Sequence, residues 1–220
     1  MKNLDELYEL ALKDIKGQIG TITITIGGTP KISSTNDIIG NCVQEWIPQW
    51  LEDNGLDLTV NKQTQVFPDF IAKIDGKEYN MEVKCFNLNN GPGFDLANFG
   101  GFYDSIYKDP TKLNAKYLVF AYRPTTHGFR IEEVYMKNLW ELTKRTPKYP
   151  VSLQVKREQP YAIRPSNFHT RPNEMFSTRR EFLEAIKEVR EMFPFDGSVD
   201  PDMWFSEIER NFQKLTGEEL

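Results

Sequence analysis

Apolar residues recur with two different periods along this chain, and the switches between them mark its elements. Leu4, Leu7, Leu10, Ala11 and Ile15 follow helical spacing, so a first helix is expected to end near Gly17. "TITITI" (21–26) alternates strictly, the pattern of a strand, and Gly27-Gly28 closes it. "NDIIGNCVQEWIPQWLED" returns to helical spacing, with Ile39, Val43, Trp46 or Ile47, and Trp50 on one face. Pro48 falls inside that pattern and removes a backbone donor, so a kink or an early end is expected. "LDLTV" (56–60) reads as a short strand leading into "FPDFIAKIDGKEYNMEVKCFN" (67–87), two alternating runs about Asp75-Gly76.

Past that hairpin, "NLNNGPGF" (87–94) is a loop and "DLANFGGFYDSIY" (95–107) a helix weakened by Gly100-Gly101. "AKYLVFAY" (115–122) is nearly all apolar, as a strand covered on both faces would be. "FRIEEVYM" (129–136) is a further strand and "NLWELT" a short helix. Prolines break regularity from Pro147 to Pro172, apart from the strand-like "YAIR". Two helices finish the chain, the first announced by the capping box Thr178-x-x-Glu181. This order describes a mixed central β-sheet flanked by helices, an α/β or α+β domain.

Composition narrows the class. A length of 220 residues, 39% hydrophobic and 13% aromatic, suits one globular domain with a substantial core. No run approaches the roughly 18–20 apolar residues of a membrane span. "MKNLDELYELALKDI" carries acids where a signal or transit peptide would be basic or apolar. Two cysteines (Cys42, Cys85) and two histidines (His127, His169) match neither a zinc pattern nor a disulfide framework. A reducing cytoplasm is therefore expected. Cys85 reads as core, and His127-Gly128 as a turn between strands.

The net charge of −5 argues against a polyanionic partner, but its distribution argues the other way. Residues 140–180 hold nine Lys/Arg against three acids, a local +6 that leaves −11 for the rest. Such a segment fits a polyanion bound at one place.

The hairpin carries the chemistry. Asp75-Gly76 suits a two-residue type I′ turn, which pairs Ile74 with Lys77, Ala72 with Tyr79 and Phe70 with Met81. Asp69 then lies opposite Glu82, at about 4.5–5.5 Å between Cβ atoms, where like charges repel. Two carboxylates at that spacing suit one hard divalent cation, and the Val83 carbonyl is a third candidate ligand. Lys84 shares the face of Glu82, so an amine projects beside the cation site. A metal so held can clamp a phosphodiester oxygen and activate water, while the lysine steadies the developing charge. A second acid-glycine-lysine string, Asp75-Gly76-Lys77, is spent on the turn.

"PDF" and "MEVK" resemble the PD-(D/E)xK nuclease superfamily, with Asp69 and Glu82 as metal ligands and Lys84 as the water-positioning amine. Over most of the chain, "IIGNCVQEWIPQWL", "PDF", "MEVKCFN", "FDLANF", "KYLVFAY" and "YAIRPSNFHT" resemble the NlaIV/NgoBV type II restriction endonucleases. The resemblance implies a restriction-endonuclease-like core over about 36–145 within a single domain, 1–220. It implies a basic DNA-contacting segment over about 144–180 and C-terminal helices over about 178–216. It further implies a bacterial, Mg2+-dependent enzyme, with Mn2+ as a substitute, that cuts double-stranded DNA at a short GGNNCC-like palindrome. A homodimer and a cognate DNA methyltransferase belong to the same expectation. Many superfamily members add an acid from the preceding helix, and Glu45, with Gln44 beside it, is the candidate. Within "QVKREQPYAIRPSNFHTRPNE" (154–174), Arg157, Arg164, Asn167 and Arg171 are the expected DNA contacts, since Arg suits guanine and Asn suits adenine. His169 is a further neighbour of DNA rather than a catalyst. Trp204, Phe205, Ile208 and Phe212 offer dimer-interface material. Two other readings share these features: a repair nuclease or junction resolvase, and a non-catalytic DNA-binding protein of the same fold.

Overall fold

A computed structural model describes residues 2–33, 35–61, 67–195, 197 and 199–220. The chain begins with α1 (Leu4–Asp14), β1 (Ile19–Gly20), β2 (Ile22–Ile26), β3 (Thr29–Ser33), α2 (Asn36–Asp53) and β4 (Asp57–Val60). There follow β5 (Phe70–Ile74), β6 (Lys77–Asn87), β7 (Ala97–Asn98), α3 (Phe99–Lys108), β8 (Lys116–Thr125) and β9 (Gly128–Asn138). The last elements are β10 (Leu153–Lys156), β11 (Gln159–Ile163), α4 (Arg179–Met192) and α5 (Pro201–Thr216). They form two compact units, one of Met1–Pro92 with Ala115–Lys137, the other of Gly93–Asn114 with Asn138–Leu220.

The first unit is built on a six-stranded sheet in the order β1-β9-β8-β6-β5-β4. It is mixed, as expected: β5 runs antiparallel to β6, and β6 runs parallel to β8. Alternate residues of the central strands (Phe70, Ala72, Met81, Val83, Leu118, Phe120) meet Leu7 and Ala11 of α1 and Ile39, Val43, Ile47 and Leu51 of α2 in one core. Tyr117, Val119 and Ala121, the alternate residues of β8, are buried too, so its apolar run is covered on both faces.

The helix α2 runs unbroken through Pro48 to Asp53, contrary to the early end its proline suggested. Burial of Ile47, Pro48, Trp50 and Leu51 holds the last turns in place, which a hydrogen-bond count alone would not predict. Ile47, not Trp46, takes the core position; Trp46 is 49% exposed and stacks on Trp50. Four strands arise where none was expected, among them the short β1 (Ile19–Gly20) and β7 (Ala97–Asn98), the latter inside the segment expected as helix. β3 pairs with β2 through a turn in which Gly27 and Gly28 both have positive φ, making an exposed two-stranded ribbon. β10 pairs with β11 inside the proline-rich stretch.

The second unit contains the three-stranded sheet β10-β11-β7 and helices α3, α4 and α5. Its α3 starts at Phe99, later than the spacing suggested, because Asn98 caps it by accepting from the Gly101 N–H at 2.9 Å. "NLWELT" forms a 3₁₀ turn over Leu139–Leu142. The Thr178 capping box is complete: its hydroxyl accepts from the Glu181 N–H at 3.1 Å, and the Glu181 carboxylate accepts from the Thr178 N–H at 3.3 Å.

Trp204, Ile208 and Phe212 are fully buried within this unit and do not supply the exposed interface surface expected of them. Trp204 stacks on Tyr103 with ring centroids 4.3 Å apart and donates its indole N–H to the Tyr103 carbonyl at 3.0 Å. Trp204→Ala should accordingly cost about 3–5 kcal/mol and lower the melting temperature by roughly 10 °C. An unchanged melt with an altered sedimentation coefficient would instead return Trp204 to an interface.

Candidate active site

The expected hairpin register is present: Ile74 pairs with Lys77, Ala72 with Tyr79 and Phe70 with Met81. It follows from the turn, where Asp75 (φ 49°) and Gly76 (φ 75°) both adopt the left-handed conformation a type I′ turn requires. One step further, side chains take over from the ladder. The Asp69 N–H donates to Glu82 Oε2 at 3.2 Å, and the Val83 N–H donates to Asp69 Oδ2 at 2.7 Å. Each carboxylate thus holds the opposite strand's backbone. Lys84 Nζ donates to Glu82 Oε1 at 2.7 Å, as an ion pair.

Burial sets the electrostatics. Glu82 is only 7% exposed, and loss of water pushes its carboxyl up to about 7, more than the adjacent Lys84 ammonium pulls it down. The nearby Asp69 charge adds to the rise. Asp69 is raised as well, again chiefly by burial, against the opposing bonds from Val83 and Gln44. Tyr117, paired with Glu82 across β6 and β8, is buried beside the same charges, and its hydroxyl is held well above its usual range. Phe67 lies against the Tyr117 ring, with centroids 6.4 Å apart.

α2 presents Gln44 to this group, and Glu45 is turned to solvent. The Gln44 amide donates to Asp69 Oδ1, whereas Glu45 is exposed. The reason is helical phase. Gln44 shares a face with the buried Ile47, Pro48 and Leu51 at i, i+3, i+4 and i+7, and Glu45 shares one with the exposed Gln49 and Glu52. Reading that spacing from the buried side would have selected Gln44.

Among the described residues, no cluster of three or more His, Cys, Asp or Glu forms a metal-holding group. A cation here would rest on the Asp69 and Glu82 carboxylates and the Val83 carbonyl. Each carboxylate oxygen accepts one protein hydrogen bond and keeps a lone pair in reserve. Three hard oxygens suit Mg2+, which keeps several waters of its own. A dication would also neutralise two acids that burial leaves poorly solvated. The donor set fits.

The expected DNA contacts lie in the second unit and differ in availability. Arg164 is committed: its guanidinium pairs with Asp95 and donates to the Gly93 carbonyl at 2.6 Å, tying down that loop. Arg157 and Asn167 are exposed, and Arg171 is exposed with Glu174 no nearer than 3.7 Å. Much of the local positive charge is balanced by acids, in the pairs Lys144–Glu174, Arg145–Glu188, Arg179–Glu218 and Arg180–Glu209. Burial lowers the His169 pKa, and its ring sits edge-on to Phe168. His127 occupies a turn, where its carbonyl accepts from Thr21 at 3.0 Å. Burial pushes the Cys85 thiol far up, as for a core cysteine.

Comparison with known proteins places this geometry in context. The NgoBV restriction endonuclease family profile matches residues 1–220. The type II restriction enzyme NlaIV of Neisseria lactamica is 31% identical over 200 residues, covering 89% of this chain and 82% of the relative. The type II restriction enzyme NgoBV of Neisseria gonorrhoeae is 29% identical over 140 residues, 63% of this chain and 79% of its own. The solved NlaIV restriction endonuclease matches with a TM-score of 0.86 and 28% identity, over 98% of this chain and 90% of that one. With its fold, its sequence and its full length all matched, this chain belongs to the NgoBV restriction endonuclease family.

Proposed function

We propose that this protein is a type II site-specific deoxyribonuclease. It hydrolyses phosphodiester bonds of double-stranded DNA at a short palindrome, GGNNCC-like, with Mg2+ as cofactor and Mn2+ as a substitute. The observation that carries this reading is the Asp69–Glu82 pair, with each carboxylate bonded to the other strand and the Lys84 amine against Glu82. The kinship to enzymes named as type II restriction enzymes favours site-specific cutting over a repair or junction-resolving role.

When bound, Mg2+ supplies Lewis-acid chemistry at a phosphate oxygen and a more acidic water. Asp69, Glu82 and the Val83 carbonyl would hold it. Lys84 does separate work: its amine holds the attacking water by a hydrogen bond and offsets the negative charge that grows on the phosphate. The water oxygen bonds to phosphorus, one P–O ester bond breaks, and the departing oxygen leaves with a proton. Gln44 fixes the orientation of Asp69. Arg157, Asn167 and Arg171 contact the duplex. A homodimer matches the two-fold symmetry of a palindrome and brings one centre to each strand. The 220 residues act as one endonuclease domain in the bacterial cytoplasm, alongside a DNA methyltransferase that protects host copies of the site. No helix among the described residues is long and apolar enough to cross a membrane.

Phage DNA incubated with the protein and Mg2+ should give discrete fragments, where a smear or selective cutting of branched DNA would point to the repair reading. Lys84→Ala should still bind the site in Ca2+ but cut it several orders of magnitude more slowly. A variant that keeps more than about a tenth of the wild-type rate would remove Lys84 from the chemistry.

The carboxylate pair also makes a prediction about the metal-free fold. A carboxyl whose pKa is higher folded than unfolded stabilises the fold below its unfolded value, and that contribution is lost as pH rises through the folded one. For Glu82 the window runs from its ordinary 4.5 to about 7. In EDTA, the melting temperature should therefore fall more between pH 5.5 and 8 in wild type than in Glu82→Gln. Asp69→Asn removes a charge that burial disfavours, so at pH 8 it should match or exceed the wild-type apo stability by up to about 1 kcal/mol. It should also lose the rise in melting temperature that Mg2+ gives by binding only the folded state. A clearly destabilised Asp69→Asn protein with an intact metal shift would make Asp69 a structural acid.

A further inference from the structure

Three two-residue hairpin turns in this chain use the same left-handed backbone, but not the same residues. Gly27-Gly28 and Asp75-Gly76 fill two of them with residues suited to positive φ. The third, between β10 and β11, is made by Arg157 (φ 51°) and Glu158 (φ 61°). Long side chains are disfavoured in that conformation, so the turn holds two of them at a cost to the fold.

The ribbon that carries them projects. β7 pairs with β11 only at Ala162 and Ile163, so Val155–Pro160 extends beyond the third strand as a two-stranded arm. A bulge after Gln154 leaves Tyr161 as the extra residue of β11, and Lys156 Nζ lies 3.5 Å from the centre of its ring. Lys156, Arg157, Glu158 and Gln159 are all exposed. Unlike Arg145, Arg164 and Arg180, Arg157 has no ion-pair partner among the described residues.

A two-stranded ribbon is one of the shapes the major groove admits. The informative residue at this tip is the acid. Against phosphates a carboxylate is repelled, so Glu158 has no use in a tip that merely grips the backbone. Against base edges it has a specific partner, since a carboxylate accepts from cytosine N4 just as an arginine donates to guanine O6 and N7. We infer that the β10–β11 ribbon enters the major groove and reads a G·C pair, with Glu158 as a specificity-determining residue beside Arg157. Lys156, held against Tyr161, meets the flanking phosphates.

This inference rests on the DNA-cutting reading above, and one experiment separates the two. Wild type, Glu158→Gln and Glu158→Gly are each bound in Ca2+ to a pool of randomised duplexes, and the bound fraction is sequenced. Wild type should select a fixed G·C pair at one position of each half-site. Both variants should lose that selection by about 5- to 150-fold. Glu158→Gln should bind unrelated DNA at least as well as wild type, having shed a negative charge. Glu158→Gly should melt at or above the wild-type temperature without DNA, since glycine relieves the left-handed turn. Unchanged G·C selection in both variants, or an equal loss of affinity on every sequence, would overturn the inference and leave the nuclease reading standing. A wild type that selects no sequence would overturn both.

Discussion

Where the β5–β6 ladder ends, two backbone N–H groups pass to side-chain carboxylates: that of Asp69 to Glu82, and that of Val83 to Asp69. The reciprocal pair fixes both acids to the backbone instead of leaving them on flexible stems, and its geometry is inherited from the turn. Asp75-Gly76 sets the register, the register places Asp69 opposite Glu82, and the pleat puts Lys84 on the Glu82 face. A slip of one residue would send Glu82 and Lys84 to the face that packs on α2, and bring Val83 out in their place. The parallel partner β8 pins β6 from its other side over Met81–Asn87 and buries Tyr117 beside Glu82. Position, burial and charge at the centre all follow from one hairpin seated between two strands.

That hairpin was legible in the sequence because its determinants are local: a turn dipeptide with a defined backbone and alternation on both sides. Elements whose determinants are not local were harder to read. Gln44 and Glu45 are neighbours in a helix, and only the phase of the buried stripe decides which one meets Asp69. Pro48 carries a strong local signal against helix, which the packing of Ile47 and Leu51 overrides. β3 contains Pro30 and Lys31, and β10 sits among prolines, so neither has the composition of a strand; their partners β2 and β11 define them. Apolar spacing in α5 told that Trp204, Ile208 and Phe212 pack against something, but not that the something is Tyr103 and its surroundings in the same unit.

The basic segment shows the same distinction in electrostatic form. Counting charges along residues 140–180 gave a positive total, yet Arg145, Arg179 and Arg180 find acids on α4, α5 and the C-terminal residues. Those pairs reconcile a net charge of −5 with a local excess of cations. They also concentrate what remains, since Lys156 and Arg157 at the ribbon tip are exposed and form no ion pair among the described residues. In a nuclease that must leave most DNA alone, a small number of placed cations limits indiscriminate binding, which grows with every phosphate neutralised.

The two units are interleaved along the chain: each is made of two segments, and each interrupts the other. On the ribosome this sets an order of completion. The carboxylate hairpin emerges early, but the sheet around it closes only after Ala115–Lys137 has followed, and Gly93–Asn114 must wait for the last residues of α5. A chain released before α5 is made therefore carries an unfinished second unit, while the groups suited to cutting are already translated. Premature termination thus gives no tidy fragment with one unit whole and the other absent; it leaves Gly93–Asn114 without the segment it packs with, a species for the cell's proteases.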